Sequence, residues 1–195
     1  MKIVFATNNI NKLSEIKSLV PGEVEILSLQ EINCFEELPE EQDTLLGNSL
    51  QKAHYVFNKY GLNCFADDTG LEINSLNGEP GVYSARYAGN HCSSEDNIQK
   101  VLEKLLGSNN REASFKTVIA LIINGKEYFF RGQIQGTITV AKRGLGGFGY
   151  DPIFLPLNSK DTFAEMNSLE KGKISHRGEA IKKLVRFLAL QQLIN

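Results

Sequence analysis

Two β-rich runs, Ala113 to Ile123 and Lys126 to Val140, are separated by Asn124-Gly125 alone. Asn and Gly both tolerate positive φ, which a tight turn between antiparallel strands demands. The second half therefore predicts a long hairpin, and a hairpin is incompatible with a purely parallel, doubly wound sheet. The first half reads differently. Ile3 to Ala6 is a short apolar strand. Lys12 to Val20 places Leu13, Ile16, Leu19 and Val20 at helical spacing, stopped by Pro21-Gly22, and Glu23 to Leu29 alternates like a second strand. Residues 31–43 carry six acidic residues and a Pro, and read as an exposed loop. Thr44 to Tyr60 predicts a helix whose buried stripe is Leu46, Leu50, Ala53 and Phe57. Asn48 and Lys52 lie one turn apart on another face, and Gly61 closes the helix.

Asn63 to Ala66 is an apolar lead-in that reads as a buried strand, ending where Asp67-Asp68-Thr69-Gly70 begins. Ser93 or Ser94 can cap a helix with Ile98, Val101, Leu102, Leu105 and Leu106 as its stripe. A glycine-rich turn, Gly144 to Gly149, follows the hairpin. A last helix starting near Arg177-Gly178 buries Ile181, Leu184, Val185 and Leu188. The order β-α-β-α-β, then helix, hairpin and closing helix, predicts an α/β mixed sheet with flanking helices in one 195-residue domain. Hydrophobic residues make up 42% of the chain, enough for a sizeable core. A net charge of −2 gives no basic footprint for nucleic acid, and no apolar run is long enough to span a membrane. Cys34, Cys64 and Cys92 are odd in number and widely spaced, which argues against disulfides and zinc and for a reducing cytoplasm.

The chemistry-bearing residues fall into two sets. Asp67 and Asp68, beside Thr69-Gly70, supply the oxygen ligands that suit Mg²⁺, and Mg²⁺ suits phosphate substrates. A solvated turn explains a lone acid pair equally well. Thr7-Asn8-Asn9-Ile10-Asn11-Lys12 lies between strand and helix, where backbone N–H groups favour anions; ordinary capping is the plainer account of such a turn. Lys52 is a second phosphate clamp or a solvated lysine. Glu40 lies in the acidic loop, where most acids are solvated and any one of them is a candidate to join Asp68 on the metal. The other set lies in the second half. Phe148-Gly149-Tyr150-Asp151 offers aromatic faces for a base and a carboxylate for ring N–H groups. Ser175-His176-Arg177 sits at a helix start, as a simple cap or as a donor pair for a carbonyl oxygen.

Six segments in register resemble the inosine triphosphate pyrophosphatase family. They are Thr7-Asn8-Asn9 with Lys12; Lys52-Ala53; Ala66 to Leu71; Pro80 to Tyr87; Gly146 to Pro152; and Ser175 to Gly178. The chain departs from the family in carrying Thr69 where Ser is common, and Gly47 in place of the acid before Asn48. The resemblance implies an elongated mixed sheet with flanking helices, and two lobes around a nucleotide cleft. It implies a Mg²⁺-dependent cytoplasmic homodimer that cleaves ITP, dITP and XTP to monophosphate and pyrophosphate. It places Asp68 and Glu40 on the metal, with Asp68 acting on water and Asp67 orienting nearby groups. Thr7 to Lys12, Lys52 and Thr69 would grip the triphosphate. Phe148 would stack on the base, with Gly149, Tyr150, Asp151 and Lys171 around it and His176 and Arg177 reading its carbonyl. The alternatives are a pyrophosphatase for other modified nucleotides and a nucleotide sensor that does not hydrolyse.

Overall fold

The computed structural model describes residues 1–20 and 22–192. The strands are β1 (Lys2–Phe5), β2 (Glu25–Leu27), β3 (Cys64–Ile73), β4 (Pro80–Gly81), β5 (Glu112–Ile123), β6 (Lys126–Ile138) and β7 (Phe154–Pro156). They form a mixed sheet in the order β2-β1-β3-β5-β6-β7, with β4 on β3. β1 runs parallel to both β2 and β3, whereas β4 and β7 pair antiparallel with β3 and β6. The helices are α1 (Ile10–Leu19), α2 (Leu45–Tyr60), α3 (Ser94–Lys104), α4 (Ser168–Ile174) and α5 (His176–Gln192). The mixed α/β class read from the hairpin is thus observed. Asn124 (φ 51°) and Gly125 (φ 74°) both adopt the left-handed conformation that their two-residue turn requires.

Three expectations are corrected. The second strand is shorter than Glu23 to Leu29, since only Glu25–Leu27 pairs with β1. β3 does not end at the acid pair but runs on through Gly70 to Ile73. Its acids are buried with charged partners, so the strand needs no exit to water at that point. The deepest stripe of α2 is Asn48, Ser49, Lys52, Ala53 and Val56; of the stripe read from periodicity Ala53 is fully buried and Leu50 and Phe57 pack half-buried against the core, so the helix is rotated toward its polar residues. Polar side chains face inward there because carboxylates wait for them. α1 ends at Leu19 with Val20 as its cap, and Pro21 lies outside the described residues.

The chain divides into two compact units. The first comprises Met1–Asp68, Thr117–Gly132 and Arg177–Asn195. Its strands bury both faces, and the alternation of side chains sorts the core in two. Ile3, Phe5, Phe65, Ile119 and Leu121 pack with Ile16 of α1 and Ile181, Leu184 and Leu188 of α5. Phe5 and Phe65 stack with centroids 4.7 Å apart. The residues between them, Val4, Ala6, Cys64, Ala66, Ala120 and Ile122, pack with Ala53 and Val56 of α2. Thr44 caps α2 by accepting from the Gly47 N–H at 3.0 Å, and Gly61 ends it at φ 65°.

The second unit comprises Thr69–Lys116 and Gln133–His176. Its core sets Leu71, Ile73 and Phe115 against Ile98, Val101 and Leu105 of α3, with Phe154 and Phe163. A capping box between Ser93 and Asp96 starts α3. Gly136 on β6 is a close-approach glycine, because a Cβ there would lie 2.4 Å from the Leu155 carbonyl oxygen and 2.7 Å from Phe154 Cζ. Backbone cannot yield as a flexible side chain can. Gly136→Ala is therefore expected to cost about 1–3 kcal/mol, read as a lowered midpoint in thermal unfolding. A midpoint equal to the native one would show that β7 shifts freely.

Candidate active site

The first unit's charged group follows from strand alternation. Asp67 continues the odd-numbered face of β3, after Phe65, and meets α1 and α5; Asp68 continues the even-numbered face, after Ala66, and meets α2. Adjacent acids therefore enter two different environments.

Asp67 is fully buried. Its Oδ1 accepts from Lys12 Nζ at 3.0 Å, and its Oδ2 accepts from Arg177 Nε at 3.1 Å. Arg177 Nη1 donates to Glu15, which is also buried. Burial alone would push the Asp67 carboxyl up, but Lys12, then Arg177 and Lys52, hold it well below the usual carboxylate range. Glu15 escapes a motif reading, yet a signal was present: it stands one turn after Lys12 on α1, on the same helix face.

Asp68 has different neighbours. Its Oδ2 accepts from Asn48 Nδ2 at 3.1 Å. Burial pushes its carboxyl above the usual range; Lys52 and Lys12 pull against that, and Glu40 adds to it. Lys52 is nearly fully buried and donates to Glu40. Despite that burial, Glu40, Asp68 and Asp67 raise the Lys52 pKa above its ordinary value. Glu40 and Asp68 are thus two carboxylates that feel one another's charge beside one ammonium. Among the described residues, no three His, Cys, Asp or Glu side chains assemble into a metal cage. Mg²⁺ does not ask for one, since it keeps several waters and shares substrate phosphate with one or two carboxylates. The all-oxygen pair therefore fits Mg²⁺.

The turn before α1 is tied internally. Thr7 Oγ1 accepts from the Asn9 N–H, and Asn9 Oδ1 accepts from the N–H groups of Asn11 and Lys12 at 3.0 and 3.1 Å. Ile10 and Asn11 are exposed. Asn8 turns away from this cap: its Nδ2 donates to the Glu36 carbonyl, and its Oδ1 accepts from the Leu38 N–H.

The second unit gathers the other set. Asp151, 3% exposed, accepts from Lys171 Nζ at 2.7 Å and from the Phe148 N–H at 2.8 Å, both at Oδ2. Lys171 Nζ lies 4.6 Å from the Phe148 ring centroid, a cation–π distance. Gly147 (φ 71°) makes this possible, since a Cβ there would fall 2.2 Å from Asp151 Oδ2. Gly149 also takes positive φ. The Tyr150 hydroxyl is buried and donates to the Ser84 carbonyl, and burial raises its pKa. His176 is buried and stacks on Phe115 at 4.5 Å. Thr69 is half-buried on β3. Lys171 rides on α4, a helix that periodicity does not reveal. The Asn167-x-x-Glu170 capping box that starts it was the available signal.

Comparison with known proteins places the chain in a family. The Ham1 family model matches residues 3–187. A dITP/XTP pyrophosphatase of Flavobacterium johnsoniae is 55% identical over 188 residues, covering 96% of this chain and 98% of that protein. One of Christiangramia forsetii is 56% identical over 189 residues, covering 97% of this chain and all (100%) of its own. The structure of the Staphylococcus aureus Ham1 protein is similar with a TM-score of 0.87 at 38% identity, covering 98% of this chain and 100% of its own. A HAM1 protein from Coxiella burnetii gives 0.88 at 38% identity, over 97% of this chain and 98% of its own. The resemblance read from the six segments is borne out: with a match running from β1 into α5, the chain belongs to the Ham1 family.

Proposed function

We propose that this chain hydrolyses non-standard purine nucleoside triphosphates, ITP, dITP and XTP, to the monophosphate and pyrophosphate. One observation carries the reading. The acid doublet of β3 is divided between Asp67, locked by Lys12 and Arg177, and Asp68, which accepts from the neutral amide of Asn48 and whose carboxyl burial pushes up. A raised pKa suits a general base. The names of the relatives, all at 52–56% identity in the first three, support the substrate class.

Asp68 takes a proton from water as the water oxygen attacks the α-phosphorus. The bond from that phosphorus to the bridging oxygen breaks, and pyrophosphate leaves. Lys12 and Lys52 supply positive charge to the phosphates, with Thr7, Asn9 and Thr69 adding donors. Asp68 and Glu40 would hold Mg²⁺, whose chemistry there is neutralisation of phosphate charge. Phe148 offers its face to the base, and Asp151 with Lys171 presents a fixed carboxylate and ammonium beside it. His176 and Arg177 remain the donors assigned to the carbonyl at position 6, where adenine carries an amino group. Arg177 also holds Asp67. Donors that adenine leaves unsatisfied can discriminate by roughly 10⁴-fold. A homodimer acting in the cytoplasm completes the reading; the family resemblance and the apolar segment Val82-Tyr83 support the dimer, and the odd, widely spaced cysteines of the sequence the reducing compartment.

Pyrophosphate release from ITP, XTP, GTP and ATP, each with Mg²⁺ and with EDTA, tests the whole. ITP and XTP are expected to turn over only with Mg²⁺, and GTP and ATP to lag far behind. Tight binding of ITP without release would replace the enzyme by a sensor. Preference for other modified nucleotides would keep the phosphate chemistry and discard the roles of His176 and Arg177.

A further inference from the structure

The segment 36–42 carries four acids, Glu36, Glu37, Glu40 and Glu41, in seven residues, with Pro39 among them. It belongs to no helix or strand. Like charges repel along such a run, and a chain outside a ladder must find partners for its backbone elsewhere. Here side-chain amides provide them. Asn8 takes two: its Nδ2 donates to the Glu36 carbonyl at 3.1 Å, and its Oδ1 accepts from the Leu38 N–H at 3.0 Å. Gln51 Oε1 accepts from the Glu41 N–H at 3.0 Å. Asn48 Oδ1 accepts from the Gln42 N–H at 2.8 Å, while its Nδ2 donates to Asp68 Oδ2. Leu38 is buried and anchors the middle in the core. Gly47 lets the far end dock, since a Cβ there would lie 2.7 Å from Gln42 Cβ. That contact gives Gly47 a physical reason.

We propose that Asn8 and Asn48 are positioning residues, which hold segment 36–42 at its two ends and so set Glu40 relative to Asp68. The proposal rests on the reading that Glu40 and Asp68 share a divalent cation. Asn48 is the stricter of the two. Its oxygen is fixed on the Gln42 N–H, so its nitrogen must face the carboxylate, and one amide ties the loop to Asp68. Asn8 ties the loop to the turn that carries Lys12. Its side chain thereby serves the metal-side loop and not the phosphate directly.

Asn8→Ala, Asn8→Asp and Asn48→Ala test this, with amide hydrogen exchange in the metal-free protein as the first readout. Asn8→Asp keeps the acceptor for the Leu38 N–H but faces the Glu36 carbonyl with an oxygen. Losing two hydrogen bonds is expected to speed exchange at residues 36–42 about tenfold in Asn8→Ala, leaving β1 and α1 unchanged. The second readout is Mg²⁺ dependence. The concentration giving half-maximal turnover should rise several-fold in the Asn8 variants, by more than the KM for ITP rises. Native exchange across 36–42 in Asn8→Ala would overturn the proposal. So would an increase in KM for ITP with Mg²⁺ dependence unchanged, because Asn8 would then touch substrate. Asn48→Ala risks the fold, and the exposed Asn8 keeps the test decisive without it. Should the native protein turn over ITP in EDTA, the shared-cation reading fails by itself; the clamp then stands or falls on exchange.

Discussion

Asp68→Asn is expected to lower turnover of ITP by roughly 10³-fold, the scale of losing a general base. The fold should survive it. Asn48 donates to Asp68 Oδ2, and an Asn at 68 can turn its oxygen to the same nitrogen. Lys52 keeps Glu40, so no buried ammonium loses every partner. The amide cannot take a proton from water, and it is a poor ligand for a hard cation. Urea midpoints within the range of conservative surface changes, beside a collapsed kcat, would separate chemistry from stability. A variant that keeps more than a tenth of native kcat would remove Asp68 from the mechanism. Glu40→Gln makes a useful contrast, because its loss should be partly recovered at high Mg²⁺ if Glu40 only binds metal.

Much of this was legible in the sequence, for reasons that differ from residue to residue. The Asn124-Gly125 hairpin was plain because two positive-φ residues between β-rich runs admit few alternatives. Asp68, Lys12, Lys52 and the Phe148 to Asp151 turn could be named from residue type and spacing. Their partners could not. Glu15 and Asn48 look like ordinary surface residues of amphipathic helices, and nothing local says that β3 presents carboxylates to them. Periodicity assumes that polar residues face water, so it found Ala53, Leu50 and Phe57 against the core but missed the deeper burial of Asn48 and Lys52. The helix buries Asn48 and Lys52 because carboxylates compensate the desolvation. The same assumption ended β3 at Asp67. Continuation of the strand through two buried acids is possible because cations arrive for Asp67 from α1 and α5, elements far away in sequence, and for Asp68 from α2. The Asp67 partners come from positions 12 and 177, and no local window holds both.

That dependence makes Asp67 a residue whose loss should strongly destabilise the fold. Asp67→Asn is expected to cost about 3–5 kcal/mol, the usual penalty for breaking a buried ion pair from one side. The side chain is isosteric, so the loss is electrostatic. Asp67 accepts at both oxygens, from Lys12 at one and Arg177 at the other. An amide keeps one acceptor and turns an NH₂ toward the other cation, leaving buried positive charge facing a donor. The pH dependence follows from the depressed carboxyl. A folded pKa below the unfolded value of about 3.9 gives stability that is complete above that value. It drains as pH falls from that value through the lower, folded pKa, and is gone below both. Native and Asp67→Asn proteins should therefore differ by the same amount at neutral pH and at mildly acidic pH, and converge only in stronger acid. Denaturant titrations across that range measure the gap directly. Convergence already near neutrality would mean that Asp67 carries a proton in the folded state, and Lys12 and Arg177 would then need another counter-charge. A constant gap with a catalytically competent folded fraction would confirm the division of labour on β3, with one acid holding the site together and its neighbour working in it.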